Sequence, residues 1–465
     1  MTSGINTREI VLEMLLEVRS NNIFSHQMIK NVLDKYDYLE VQEKRFMKRL
    51  FEGTIERMIE LDYWISQYAK VKNNKMKPVI RTILQMSIYQ ILYMDAVPDS
   101  AVCNEAVKLT KKKKYHQLNG FVNGVLRTIV RERDTLVYPD ESKDPCVALS
   151  VRYSMPQWLV ETWCDTYGLE VTKVMLEDLL AEHSVTVRLD ETLTQQEVEK
   201  VIKEWESHKI DMRKHTYLSY AYALGNVEGL SKLTYFQKGL YTVQDVSSML
   251  VAEVAQVMAD DKVLDLCAAP GGKSLHLATK LKRLKGNGWV EARDVSQGKV
   301  AIIEENKGRL QVLNLTTKIA DARVLEEELI EAMDVVVADV PCSGLGVIGK
   351  KRDIKYRVTK ESMESLVILQ QEIVATAMQY VKIGGTLLYS TCTIHRGENE
   401  EIVEWMVSSG EYVLESLDPY LPECLHSEST KKGYLQLLPG IHECDGFFIA
   451  RLRRIEKGQT SGTDT

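Results

Sequence analysis

Residues Val263-Leu264-Asp265-Leu266-Cys267-Ala268-Ala269-Pro270-Gly271-Gly272-Lys273-Ser274 decide how the C-terminal half of this chain is read. A short apolar run stops at Pro-Gly-Gly and a helical pattern takes over, which predicts strand, tight turn and helix. Glycine lets the backbone take positive φ and approach a ligand closely, and the first amides of a helix starting near Lys273 are donors without helical partners. A cofactor carrying a carboxylate or phosphate fits such a turn. The spacing argues against a phosphate loop, which needs glycine where Cys267 stands, and against the Gly-x-Gly-x-x-Gly dinucleotide fingerprint.

On either side of this turn the pattern alternates. Helices are predicted at Gln244–Met258, Leu275–Leu284, Lys299–Leu310, Glu361–Val381 and Asn399–Ser408. Strands are predicted at Lys262–Leu266, Trp289–Arg293, Thr316–Ile319, Asp334–Ala338 and Thr386–Tyr389. This order implies a mostly parallel, doubly wound sheet that binds ligands beyond the carboxyl ends of its strands. Tyr434–Leu438 and Phe447–Leu452 are expected to form an antiparallel hairpin on the sheet edge. Asp294, Asp321 and Asp339 each close one of three successive strands and so present carboxylates to one crevice. Carboxylates on ribose hydroxyls and an adenine amino group suit a cationic adenosyl cofactor better than a polyphosphate, so S-adenosylmethionine is inferred.

Cys342 in Asp339-Val340-Pro341-Cys342-Ser343-Gly344 and Cys392 in Ser390-Thr391-Cys392-Thr393 each follow an apolar run at a predicted strand end. The eight cysteines contain no Cys-x-x-Cys pair, so neither a zinc site nor a disulfide framework is indicated. Beside a methyl-donor turn, two cysteines suit methylation of cytosine carbon 5, an atom too weakly nucleophilic to react unaided. A thiolate adding to carbon 6 makes the ring an enamine, carbon 5 takes the methyl group, and loss of the carbon-5 proton expels the thiol. One cysteine is then the nucleophile and the other helps release the product, while Asp339 polarises the flipped base.

The rest of the chain reads as two further parts. Residues 1–140 are helical throughout, carry 22 Lys+Arg against 17 Asp+Glu, and contrast with a net charge of −7 for the whole chain. An anionic polymer would meet this part first. Lys111 to Lys114 are expected in a loop between two helices. Tyr138 to Pro145 is the linker candidate, and residues 141–235 are expected to form a small α+β connector with helices at Gln157–Tyr167, Leu169–Ala181 and Gln195–Glu204 and a strand at Val185–Leu189. Residues 236–456 form the α/β domain and 457–465 a disordered tail. No apolar run has membrane-spanning length and the N-terminus lacks a signal-peptide pattern, so a cytoplasmic location is expected.

The glycine turn, Asp339 to Ile348, Asp353-Ile354-Lys355, Ser390 to Thr393 and Leu438-Pro439-Gly440 together resemble the motif series of the Sun family of RNA 5-methylcytosine methyltransferases. Ala106 to Leu109 and Gly120 to Arg127 resemble the antitermination factor NusB. The resemblance spans nearly the whole chain and implies an all-α NusB-like N-terminal domain, a small α+β connector and a Rossmann-like class I methyltransferase domain. It implies 16S ribosomal RNA as partner and S-adenosylmethionine as cofactor; from the residues themselves no metal and no membrane association are expected, and a monomer is expected. By the same resemblance Cys392 is the nucleophile and Cys342 assists release. The cofactor contacts carry over to Cys267, Ala268, Ala269, Pro270, Gly271, Gly272, Lys273, Asp294, Asp321 and Asp339. A non-catalytic RNA-binding factor on the same scaffold would have lost a nucleophile or a cofactor carboxylate, and this chain keeps them.

Overall fold

The computed structural model describes residues 6–20, 23–227 and 229–456; the tail expected at 457–465 lies outside the described residues. By its contacts the chain divides into two compact units, Met1–Ala181 with Ile348–Arg357, and Glu182–Val347 with Val358–Thr465.

The first unit is helical. Pro78–Tyr93 is its central helix, with Ile80, Ile83, Leu84, Ile88 and Ile91 buried against Leu12, Phe51, Leu61, Trp64 and Leu126 from the helices around it. The stretch expected to be a linker folds onto this core: the Tyr138 ring meets Trp64 edge-on at 5.0 Å, and Asp144 caps the helix Pro145–Arg152 by accepting from Val147 N at 3.0 Å. The helices Gln157–Tyr167 and Leu169–Asp178 belong to the same unit. The lysines expected in a loop are corrected in part, because the helix Asp99–Lys112 runs through Lys111 and Lys112. Lysine is a good helix former and its charge suits a helix C-terminus. Lys112 Nζ lies 2.6 Å from Glu9 and Lys113 pairs with Glu13, so two of the four charges are neutralised locally.

The segment Ile348–Arg357, far along the chain, is built into this helical unit. Asp353 accepts from Ser25 N at 3.0 Å and Ser25 Oγ at 2.6 Å, Arg352 pairs with Glu52 and Glu56 at 3.0 and 2.7 Å, and Tyr356 OH donates to Ile55 O at 2.9 Å. The buried Lys355 donates to Glu56 O at 2.8 Å, and its burial lowers the ammonium to about 7.

The second unit holds two sheets. Strands β1 (Val185–Leu189), β2 (Asp211–Lys214), β3 (Ala221–Gly225) and β4 (Tyr241–Val243) form a small antiparallel sheet in the order β2-β3-β1-β4, backed by Trp205 from the helix Gln195–Ser207. The large sheet contains β5 (Lys262–Asp265), β6 (Trp289–Asp294), β7 (Leu315–Ile319), β8 (Met333–Asp339), β9 (Val381–Thr391), β10 (Tyr412–Leu414), β11 (Tyr434–Leu437) and β12 (Phe447–Arg454). Its order is β10-β12-β9-β8-β5-β6-β7, with β11 also on β12; β9 to β7 are mutually parallel and the β10, β11 and β12 pairings are antiparallel. The last hairpin therefore forms, but β12 is interior, with β9 on one side and β10 and β11 on the other, and its residues Phe448 to Leu452, all apolar except Arg451, are buried.

Alternation along the strands sets the two cores. Val263, Val335, Val337 and Leu388 face one layer, where they meet Met249, Leu250, Leu275 and Leu277. Leu264, Val336, Ala338, Leu387 and Tyr389 face the other, with Ile373, Ala377, Ile402 and Met406. With both faces covered, what remains open to chemistry is the row of carboxyl ends.

Candidate active site

That row is acidic. In sheet order Asp339 ends β8, Asp265 ends β5, Asp294 ends β6 and Asp321 follows β7 by two residues. Asp265 was not among the expected site residues, although an acid inside the apolar run Val263 to Leu266 is the signal that marks it. It is fully buried; Oδ2 accepts from Ser274 Oγ at 2.5 Å, while Oδ1 has no partner among the described residues. Burial raises its carboxyl to about 7, with the nearby Asp339 charge adding to the shift.

The turn between β5 and the helix Gly272–Leu284 is held by backbone contacts. Ala268 N donates to Arg293 O at 2.8 Å and Gly271 N to Ala268 O at 2.7 Å. Gly271 has φ of +102°, and a Cβ there would lie 3.1 Å from Leu275 and 3.2 Å from Ile303, so glycine is needed on both counts. Asp294 ties this turn to β6: Oδ2 accepts from Ala269 N at 3.1 Å, and Oδ1 accepts from Val295 N at 2.8 Å and meets Lys299 Nζ at 3.1 Å. Half-buried Cys267 lies among these acids, and burial followed by the Asp265 and Asp294 charges pushes its thiol well up. Asp321 is engaged by Arg323 through both oxygens, at 3.0 and 2.7 Å, which lowers it to about 2. These residues fit an adenosyl cofactor with a cationic donor. The buried Asp265 oxygen has no hydrogen-bond donor, and the ammonium group of such a ligand supplies one.

The two cysteines meet because of strand register. β8 and β9 are parallel with Asp339 opposite Ser390; Val340 N donates to Ser390 O at 3.2 Å and Ser390 Oγ to Asp339 Oδ1 at 2.8 Å. Cys342 lies three residues beyond one partner and Cys392 two beyond the other, and their sulfurs are 3.3 Å apart. That is hydrogen-bond range for sulfur and too long for an S–S bond of about 2.05 Å. The contact with Cys392, followed by burial and the Glu398 charge, raises the Cys342 thiol well above its ordinary range. Lys273 Nζ lies 2.6 Å from Asp339 Oδ2 and 5.1 Å from the centre of the Phe447 ring. Burial pulls the Lys273 ammonium down, but the Asp339 carboxylate more than offsets this, and Cys392 adds to the upward shift. The structure thus gathers Cys342, Cys392, Asp339 and Lys273, with the glycine turn supplying Lys273. Gly346 closes the loop after Cys342: its N donates to Cys392 O and its O accepts from Gly446 N, both at 3.0 Å.

The residues Ile-Lys after Asp353 belong to the helical unit, as does Arg352, so these resemblance-bearing positions act there as packing and ion-pair residues.

Residues 252–453 match the family model for the 16S rRNA methyltransferase RsmB/F, and residues 5–131 match that of the NusB family. A probable ribosomal RNA small subunit methyltransferase B from Bacillus subtilis (strain 168) is 34% identical over 97% of this chain and 99% of its own length. Another from Synechocystis sp. is 31% identical over 97% of this chain and 100% of its own. Among solved structures, PH0851 matches with a TM-score of 0.78 at 23% identity over 97% of this chain and 99% of that one. NSun6 from Pyrococcus horikoshii with SFG matches with a TM-score of 0.56 at 23% identity, over 65% of this chain and 98% of that one. At such identity the structures establish the shared fold, whereas the sequence relatives extend end to end. The chain therefore belongs to the ribosomal RNA small subunit methyltransferase B family, with a NusB-family helical region followed by an RsmB/F methyltransferase region.

Proposed function

We propose that the protein transfers a methyl group from S-adenosylmethionine to carbon 5 of a specific cytidine in 16S ribosomal RNA, through a covalent adduct with Cys392. The observation that carries this reading is the pair of sulfurs 3.3 Å apart beside Asp339 and Lys273. The cofactor supplies the electrophilic methyl group. Lys273 favours the Cys392 thiolate electrostatically, and that thiolate adds to carbon 6 of the flipped base. Asp339, steadied by Lys273 and Ser390, hydrogen-bonds the base edge and polarises the ring. After transfer the carbon-5 proton passes to solvent water, the double bond re-forms and Cys392 leaves as the thiolate that began the cycle. Cys342, held as a neutral thiol, is close enough to donate a hydrogen bond to that departing thiolate and so assist its release.

The cofactor site comprises Cys267 to Lys273, Asp294, Asp321 and Asp339, to which Asp265 is added. The RNA is met by the NusB-like helical region, residues 1–140, whose charge balance is positive, and by residues 141–235, of which the helices up to Asp178 pack with that helical unit, while residues 236–456 carry the chemistry. The test is to incubate the full chain with labelled S-adenosylmethionine and unmodified 16S ribosomal RNA, digest to nucleosides and identify the product. Labelled 5-methylcytidine is expected; label in another nucleoside, or none although the cofactor binds, contradicts the reading.

A further inference from the structure

Below the two cysteines lies a buried carboxylate that this chemistry does not use. Glu398 ends the turn Arg396–Glu398 and is fully buried. Its Oε2 accepts from Ser343 N at 2.8 Å and from Gln370 Nε2 at 2.9 Å, and its Oε1 accepts from Ser343 Oγ at 2.5 Å. Gln370 Nε2 also donates to Pro341 O at 3.0 Å. Both neighbours of Cys342 are thereby fixed from one carboxylate. The next residue, Asn399, also fully buried, does the same for Cys392: it accepts from Thr391 Oγ1 at 2.6 Å and donates to Thr393 O at 3.1 Å. Ser343 Oγ and Thr393 Oγ1, 2.7 Å apart, join the two loops directly.

We propose that Glu398 and Asn399 are a pair of positioning residues, one bracketing each cysteine, that set the spacing of the two sulfurs on which adduct formation and release depend. The chemistry of the pair supports a positional role. Sealing a carboxylate away from water costs several kcal/mol unless its acceptors are filled, and an apolar side chain could close the same space. The arrangement suits a carboxylate, which accepts from the Ser343 and Gln370 donors on one oxygen and from the Ser343 hydroxyl on the other; glutamine keeps these contacts only if the Ser343 hydroxyl turns to accept from the new amide and donate to Thr393 Oγ1, and leucine keeps none. The contacts lie on the segments that carry the sulfurs.

The inference rests on the reading of both cysteines as reactive groups, so its main test is independent of RNA. In the full chain, diamide oxidises a close thiol pair to a disulfide: each thiol loses a proton and an electron, and diamide becomes the hydrazine. Formation of the Cys342–Cys392 disulfide is followed by peptide mass spectrometry in wild type, Glu398→Leu and Ser343→Ala, alongside circular dichroism melting and S-adenosylmethionine binding. The expected result is disulfide formation at least roughly tenfold slower in Glu398→Leu with cofactor affinity unchanged, and kcat on RNA lower by about 10²-fold with little change in KM, as for misplaced reacting groups. Ser343→Ala, which keeps the Ser343 amide contact, should show a smaller loss of the same kind. Wild-type disulfide rates in a folded Glu398→Leu protein overturn the proposal; if that variant does not fold, wild-type rates in Ser343→Ala do so. Should no RNA be labelled by the wild type, the proposed reaction fails while the thiol measurement still decides the positioning role.

Discussion

Cys342 and Cys392 face one another at 3.3 Å because Asp339 and Ser390, three and two residues earlier, are register partners on adjacent parallel strands. The Ser390 hydroxyl reinforces that pairing by donating to Asp339 at 2.8 Å. Removing it in Ser390→Ala should cost about 1 kcal/mol, the usual net worth of such a bond, with a larger proportional fall in kcat than in cofactor affinity. Urea unfolding and steady-state kinetics on the same preparation check both halves; a lower cofactor affinity with unchanged kcat would place the hydroxyl in the wrong role.

The loop after Cys342 tolerates no side chain at its closing glycine. A Cβ on Gly346 would lie 1.9 Å from Gly446 O, an approach only backbone movement can relieve. Gly346→Ala should destabilise the protein by about 3 kcal/mol, the upper part of the usual overpacking range, and displace the Gly346 N contact with Cys392 O. A denaturant midpoint equal to that of wild type would show that the loop yields freely.

Asp265 makes stability depend on pH. Its carboxyl stands at about 7 in the folded protein, against about 3.9 in an unfolded chain. The folded state keeps a proton that the unfolded state gives up, so the stabilisation is complete below about pH 4 and lost as pH rises through about 7. Relative to Asp265→Asn, wild type should lose up to about 1.4 kcal/mol per pH unit across that window, measured by urea unfolding at a series of pH values. A cationic ligand on the free oxygen favours the carboxylate, so S-adenosylmethionine affinity should rise over the same range. Parallel stability curves for the two proteins would contradict the assignment.

Lys355 acts with the opposite sign. Burial lowers its ammonium to about 7, against about 10.4 when unfolded. Its contribution is present above about pH 10 and lost as pH falls to about 7, because the unfolded chain then binds the proton that the folded one refuses. Lys355→Met should therefore be stabilised relative to wild type near neutral pH, with the difference shrinking as pH approaches 10; thermal unfolding at both ends of the range tests this.

Much of this architecture could be read from apolar runs. Trp289 to Asp294 and Met333 to Asp339 alternate between two buried layers and end on acids, so their strands and the row of carboxylates were legible from local pattern alone. β9 begins at Val381, five residues before the predicted start, because Lys382 to Gly385 break the apolar pattern while its first residue already pairs with Met333 of β8. Asp265 ends β5 inside the apolar run Val263 to Leu266, and that acid among apolar residues is the local signal that marks it. Glu398 and Asn399 looked like the polar start of an ordinary helix, since their partners are 28 to 55 residues away in the chain for Glu398 and nothing local distinguishes them. The insertion of Ile348–Arg357 among the N-terminal helices rests on pairings such as Ser25 with Asp353, 328 residues apart, which no local pattern encodes.

The central claim is that Cys392 forms the covalent bond and Cys342 ends it. Cys342→Ala protein incubated with 16S ribosomal RNA and S-adenosylmethionine, run on a denaturing gel and digested for peptide mapping, tests it most directly. An RNA-linked species is expected that accumulates in this variant, maps to Cys392 and is missing from Cys392→Ala. A linkage at any other residue, or equal loss of activity without an adduct in both variants, would contradict it.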